Sequence, residues 1–193
     1  MAVLLSKGST VSLTKEAGPR GLTSVTVGLG WDAESRNSFE FDLDASAIVL
    51  DSVGRALSDS HLVFYNNLQS PEGGVTHTGD NTDGQGEGDD EQLIISLTTL
   101  PETAQSVVFV VSIHDAAARG QAFDQVQNAF IRVVNNEDGQ ELARFDLASG
   151  AYGQDTIVFG EVYREGADWK FRAIGDSLPG GFVGTLRNYG INV

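Results

Sequence analysis

The sequence contains no cysteine, which excludes a disulfide framework, a thiolate nucleophile, a zinc knuckle and an iron–sulfur cluster. It also has little positive charge, because 12 lysines and arginines stand against 27 aspartates and glutamates, for a net charge of −15 at pH 7. Binding to a nucleic-acid backbone and a polybasic membrane anchor both depend on basic residues. The composition therefore argues against nucleic acid as a partner and against this kind of membrane attachment.

Long apolar runs and a targeting segment are missing as well. The amino terminus has only a short apolar run at residues 2–5, placed before Lys7, which is unlike a signal peptide. No window approaches the length that a membrane-spanning helix needs. The hydrophobic content of 40% suffices for a sizeable core, and no linker or repeat divides the chain. We expect one domain over residues 1–193, which is cytoplasmic and not transmembrane.

The negative charge is concentrated in the middle of the sequence. No lysine or arginine occurs in the 63 residues between Arg55 and Arg119, and ten acidic residues lie there. Six of the ten fall within positions 80–91, where acids alternate with Gly84, Gly86 and Gly88. One segment thus supplies ten of the fifteen net negative charges, and the fold needs a means to offset them.

The pattern of the rest of the chain predicts strands. Short runs rich in β-branched and aromatic residues are separated by Gly, Asp, Asn and Ser. The predicted strands are residues 10–14, 22–31, 43–50, 62–65, 93–97, 106–114, 129–135, 141–147, 156–164 and 169–174. Turns are predicted at 136–139 and 165–168, and helices at 116–126 and 182–188. We expect a mainly β fold: an antiparallel β-sandwich of about ten strands with one or two short helices.

The acidic, glycine-rich segment has the chemistry of a calcium loop. Clustered carboxylates repel one another unless a counter-charge is present. Glycines let the backbone curl around a small ion, and Ca²⁺ selects six to eight hard oxygen ligands. Mg²⁺ demands a tighter octahedron, so a loop this rich in oxygen donors favours Ca²⁺. A solvated acidic loop without any ligand is the alternative.

Two known calcium loops do not match this segment. Asp80 and Glu91 stand at positions 1 and 12 of a twelve-residue window, but Thr82, Gly84 and Gln85 occupy positions where an EF-hand needs acids and then glycine. The nonapeptide repeats of parallel β-helices occur in tandem, whereas this segment occurs once.

A second acidic pair lies on a predicted strand. Asp44 lies on the predicted strand 43–50 and Asp42 directly before it, so they share one face of a strand that is otherwise apolar or small. We interpret this pair and the acidic loop as two halves of one site. Asp32 and Glu34 are peripheral candidates, and a surface turn explains them equally well.

These blocks resemble the TerD family of tellurium-resistance and stress proteins. The resemblance is most specific in Asp42-Leu43-Asp44-Ala45-Ser46-Ala47 and in Gly79-Asp80-Asn81 followed by Gly88-Asp89-Asp90-Glu91. It continues in order along the whole chain through residues 7–13, 27–32, 64–67, 113–116, 129–132, 169–173 and 189–191. The sequence departs from the family's commonest loop at Thr82-Asp83, so Asp83 adds a charge that many relatives lack.

The resemblance implies a cytoplasmic β-sandwich that binds two Ca²⁺ ions and serves resistance to tellurite, other chemical stress and phage. Its partners would be calcium and other stress-resistance proteins, met in the cytoplasm or at the inner membrane surface. The metal site that the resemblance and the loop together predict comprises Asp42, Asp44, Asp80, Asn81, Asp83, Gly86, Glu87, Gly88, Asp89, Asp90 and Glu91. Asp115 is a further candidate, either as a cap at the end of a strand or as a residue beside a metal ligand.

No motif in the sequence indicates catalysis. The three histidines are scattered, and no zinc-protease, nucleophile-elbow or P-loop pattern occurs. Glycoside hydrolysis is an alternative, because it uses a pair of carboxylates, but it needs only two and this segment clusters six. Trp31 and Trp169 are interpreted as core anchors. We therefore expect a non-catalytic sensor or scaffold, with a calcium-dependent, lectin-like carbohydrate-binding module as the alternative.

Overall fold

The computed structural model of the chain describes residues 2–32, 41–79, 88–147 and 153–193. Within these ranges it contains twelve strands and three short α-helices. The strands are β1 (Val3–Leu5), β2 (Thr10–Ser12), β3 (Ser24–Gly30), β4 (Leu43–Leu50), β5 (Leu62–Val63), β6 (Val75–His77), β7 (Glu91–Ser96), β8 (Ser106–Ile113), β9 (Phe130–Asn135), β10 (Glu141–Asp146), β11 (Thr156–Glu165) and β12 (Asp168–Asp176). The helices are α1 (Leu13–Ala17), α2 (Ala116–Arg119) and α3 (Gly181–Asn188).

The strands form two six-stranded sheets that pack face to face. The first sheet has the order β1-β10-β9-β3-β7-β6, and the second has the order β2-β12-β11-β8-β4-β5. Every pairing is antiparallel except the one between β1 and β10, which is parallel. The predicted antiparallel sandwich is confirmed.

The core between the sheets follows the period of two that strands impose on their side chains. Val25, Val27 and Leu29 point inward from β3, where they share one buried cluster with inward residues of β4 and β8. The outer face of the second sheet is also covered, because α3 and the carboxyl terminus bury a smaller cluster against it. Every residue of β4 and β8 is therefore buried, on whichever face it lies.

The ten predicted strands all occur, with ends that differ by up to two residues. The structure adds β1 and β6, each of three residues, which are too short for an alternating pattern to reveal. Strand 10–14 was predicted too long. Ser12 ends it, because its side chain accepts a hydrogen bond from the Lys15 backbone N–H (3.3 Å) and caps α1.

The helix predicted at residues 116–126 is two pieces. Helix α2 ends at Arg119, because Gly120 after it has a left-handed backbone (φ 63°), and a single 3₁₀ turn follows at Phe123–Gln125. Helix α3 matches the second predicted helix closely. In the part of the chain that the structure describes, no helix is long and apolar enough to cross a membrane.

Candidate functional site

Strand β4 presents the first two candidate ligands. Phe41 and Leu43 lie in the core, so the side chains of Asp42 and Asp44 alternate to the opposite face. The backbone hydrogen bonding between β4 and β8 extends to Asp42, whose carbonyl oxygen accepts a hydrogen bond from the His114 backbone N–H (2.8 Å). The Asp44 residue is only 8% exposed. Asp44 therefore lies on β4, and Asp42 directly precedes the strand and continues its hydrogen bonding to the residue after β8.

Glu91 connects the acidic segment to this strand. It is the first residue of β7 in the opposite sheet, and it is 1% exposed because its side chain points inward beside Leu29. Its Oε2 accepts a hydrogen bond from the Ala45 backbone N–H (2.5 Å). Among the described residues β5 pairs with β4 only at Ala47 and Ile48, so this carboxylate takes the place of a strand partner next to Asp44.

His77 holds the other end of the segment. It is the last residue of β6, is 3% exposed, and accepts a hydrogen bond at Nδ1 from the Gly79 backbone N–H (3.1 Å). An accepting Nδ1 puts the proton of the neutral ring on Nε2. That atom lies 3.6 Å from Oε2 of Glu91, beyond hydrogen-bond length but close enough for electrostatic attraction. Both sides of the acidic segment thus meet at one buried carboxylate.

Asp90 is bound to the start of β4 through a tryptophan. Its Oδ2 accepts a hydrogen bond from the Trp31 backbone N–H (2.9 Å), and its own N–H donates to the Leu29 carbonyl (2.8 Å). The Trp31 indole N–H in turn donates to the Phe41 carbonyl (3.1 Å). Trp31 is 5% exposed, so the prediction that it anchors the core is confirmed, and it also ties Asp90 to the residue before Asp42.

Asp89 lies on the outer face of the first sheet. Its side chain is 1% exposed and rests on Gly28, where a Cβ atom would collide with the carboxylate. It accepts hydrogen bonds from Arg132 Nε (2.7 Å) and Gln92 Nε2 (3.3 Å). The hydrogen bond to Asp89 raises the pKa of the Arg132 guanidinium, with a smaller contribution from Glu141. This face is opposite to the one that Glu91 occupies.

The structure thus brings Asp42, Asp44 and Glu91 to the same stretch of β4, with Asp90 joined to it through Trp31. It does not bring Asp89 there. Gly88 is exposed, with a φ of 107° that glycine adopts readily. The remaining predicted ligands, which are Asp80, Asn81, Asp83, Gly86 and Glu87, and also the peripheral Glu34, lie outside the described residues. Within residues 2–32, 41–79, 88–147 and 153–193, no three His, Asp or Glu side chains form a group that could hold a metal ion.

Sequence reasoning missed two histidines at this site. Besides His77, the ring of His114 lies between two carboxylates. Its Nδ1 is 3.4 Å from Oδ2 of Asp44, and its Nε2 is 3.7 Å from Oδ2 of Asp115. The sequence position of these histidines could have indicated a role at the site, because His77 ends the buried strand β6 and His114 directly follows the buried strand β8. The peripheral candidate Asp32 accepts a hydrogen bond from Asn128 (2.6 Å), which fits its reading as a surface turn.

Comparison with known proteins assigns the family. The TerD domain model matches residues 1–189. A tellurium resistance protein, TerD, of Serratia marcescens is 51% identical over 192 residues, covering 100% of this chain and 99% of the relative. The chain belongs to the TerD family. General stress protein 16U of Bacillus subtilis (strain 168) is 45% identical, with 100% of both chains covered. The TerD family is thus one of tellurium-resistance and stress-response proteins.

Solved structures agree with the TerD-type sandwich. A crystal structure of a protein of unknown function matches with a TM-score of 0.70 at 24% identity, covering 89% of this chain and 99% of the other. A homologue of a telluride resistance protein from Streptomyces coelicolor A3(2) matches with a TM-score of 0.63 at 23% identity, covering 84% and 94%. At these identities the comparison supports the fold alone.

The packing of Asp89 on Gly28 predicts the effect of a small substitution. We expect Gly28→Ala to destabilise this TerD-family protein by roughly 1–3 kcal/mol, because the new methyl group displaces Asp89 from Arg132. The measurement is urea unfolding of Gly28→Ala, Asp89→Ala and the double variant. Alanine at position 89 removes the colliding atoms, so the double variant should lose less stability than the two single losses added together. Strict additivity would contradict this packing.

Proposed function

We propose that the protein binds Ca²⁺ and acts as a non-catalytic sensor or scaffold in resistance to tellurite and other chemical or phage stress. The observation that carries this proposal is the hydrogen bond between Glu91 and the Ala45 N–H. It joins the end of the acidic, glycine-rich segment to the strand that bears Asp42 and Asp44. The two sequence blocks that predict the calcium site are therefore attached to each other in the fold.

The chemistry of the described residues fits calcium. Asp42 and Asp44 offer hard carboxylate oxygens, which Ca²⁺ prefers, and the chain has no cysteine to favour a soft metal. Asp44 is mostly buried, so a cation beside it would offset a charge that water reaches poorly. Bound calcium would supply positive charge and a cross-link between the strand and the segment, and Asp42 and Asp44 would hold it from the strand side.

The acids at the carboxyl end of the segment attach it to the two sheets. Glu91 fastens the segment to β4, and Asp90 fixes its approach through Trp31. Asp89 anchors the same turn to the outer face of the first sheet through Arg132. These contacts fix the position of the chain at this end of the segment, which lowers the conformational entropy that ion binding must remove.

Titration calorimetry with Ca²⁺, in the presence and absence of Mg²⁺, tests the proposal. We expect Ca²⁺ to bind with Mg²⁺ competing weakly, since Mg²⁺ keeps its waters and needs a stricter octahedron. The absence of any calcium heat in the metal-free protein would contradict the proposal. Glycan binding that depends on Ca²⁺ would instead support the carbohydrate-binding alternative.

Substituting one acid on β4 tests where the ion binds. We expect Asp44→Asn to weaken calcium binding on the order of tenfold or more, because it removes a ligand charge from a rigid strand. Asp59→Asn is the matched control, since Asp59 lies elsewhere, where it accepts hydrogen bonds from Asn192 (2.9, 3.1 and 3.0 Å). Equal losses in the two variants would mean that Asp44 is not part of the site.

A further inference from the structure

A pocket of about 440 Å³ opens on the outer face of the second sheet. Its floor is made of hydroxyl groups on three neighbouring strands, from Ser46 on β4, Ser112 on β8 and Thr156 on β11. The aromatic residues Tyr65 and Phe182 also line it. The volume lies in the range of sites that take small organic molecules.

One floor atom is built to meet a ligand. Ser46 is 1% exposed, and its Oγ is buried with no hydrogen-bond partner among the residues that the structure describes. A buried hydroxyl without a partner is costly, and such groups are rarely left unsatisfied. Because Ser46 lines the pocket, a molecule that enters the pocket can supply the missing bond.

The charges around the pocket select the sign of that molecule. Three carboxylates line it, from Asp44, Asp115 and Asp155, whereas the described lining residues include no lysine or arginine. The carboxylates are also spread out. The His114 ring separates Asp44 from Asp115, and Asp155 lies against Gly181 at the start of α3. Such a field attracts cations and repels anions, which include oxyanions such as tellurite.

We propose that this pocket binds a linear aliphatic polyamine. Separated ammonium groups match carboxylates that lie apart in the pocket, and each can form a charge-assisted hydrogen bond with one of them. The methylene chain would pack on Tyr65 and Phe182, and cation–π attraction would add to binding at these rings. Ser46 Oγ accepts a hydrogen bond from an ammonium group. The inference goes beyond calcium binding. With Asp44 assigned to calcium in the proposed function, Asp115 and Asp155 are the two carboxylates left to face the ammonium groups.

The test is calorimetric titration of the full-length protein with spermidine in saturating Ca²⁺. Asp115→Asn and Asp155→Asn should each weaken binding about tenfold, because each loses a charge-assisted hydrogen bond. Asp146→Asn is the charge-matched control, since this acid is exposed on β10 and paired with Arg144. Equal weakening in all three variants would overturn the proposal and reveal only general attraction to an acidic surface.

A floor variant separates binding from folding. Ser46→Val removes a hydroxyl that has no hydrogen-bond partner in the described part of the chain, and the added methyl group fills part of the floor. We expect thermal unfolding without ligand to be unchanged or to move to a higher temperature, while spermidine affinity falls at least as far as in Asp155→Asn. Retained affinity in Ser46→Val overturns the proposal. Spermidine binding that appears only after calcium is chelated also overturns it, because the amine would then be replacing the metal.

Discussion

Replacing Glu91 with alanine is expected to destabilise the protein by about 2–4 kcal/mol, measured by urea unfolding in the presence of a calcium chelator. The substitution leaves the buried Ala45 N–H without its acceptor and opens a cavity between the two sheets. It also takes the carboxylate away from Nε2 of His77. For a chain of this length, the loss corresponds to a melting temperature roughly 4–16 °C lower.

Two further substitutions make this expectation specific. Glu91→Gln keeps a carbonyl oxygen that can accept from Ala45, so it should lose less stability than Glu91→Ala. Glu102→Ala is the matched control, because Glu102 is exposed and lies in a turn outside the sheets, where most substitutions have small effects. If Glu91→Ala and Glu102→Ala unfolded at the same urea concentration, the contact between the sheets would contribute nothing to stability.

The main strands were predictable because they carry a local signal. Strand β4 was predicted with its exact ends, and β8 within one residue, since both are long runs of apolar and β-branched residues. Strand β6 carries no such signal in three residues. It exists because β7 offers it a backbone to pair with, and a partner that is distant in sequence leaves no mark on the local pattern.

In the candidate site, too, local features could be predicted from the sequence and contacts between distant residues could not. Asp42 and Asp44 could be placed on one face from alternation alone, because their strand is regular. The hydrogen bond from Ala45 to Glu91 could not be predicted, since it joins residues 46 apart that belong to different sheets. Sequence also could not show that Asp89 and Glu91 point to opposite faces, because alternation is undefined where a loop enters a strand.

The fold also changes how the clustered charge is offset. The sequence predicts six neighbouring acids that repel one another, yet the last three have separate partners in the protein. Asp89 has Arg132, Asp90 has the Trp31 N–H, and Glu91 has the Ala45 N–H. Each of these three carboxylates therefore accepts a hydrogen bond from a group of the protein itself.

Removing calcium is expected to lower the melting temperature by about 5–10 °C when the ion had been present at roughly a hundred times its dissociation constant. A ligand that binds only the folded chain stabilises it by mass action, and here the ion would join β4 to the segment that ends at Glu91. The measurement is thermal unfolding with calcium and with a chelator, accompanied by amide hydrogen exchange at residues 88–91.

Asp44→Asn provides the control for this effect. Because a site weakened about tenfold or more is stabilised less by the same calcium concentration, the variant should lose about half or more of the calcium-dependent rise in melting temperature, and Asp59→Asn should keep the full difference. The Glu91 variants supply an independent measurement, since their stability loss is expected in chelator and does not require the ion. If Glu91→Ala loses stability but calcium does not change the melting temperature of the native protein, the stabilising contact between the sheets is supported and the calcium site is refuted.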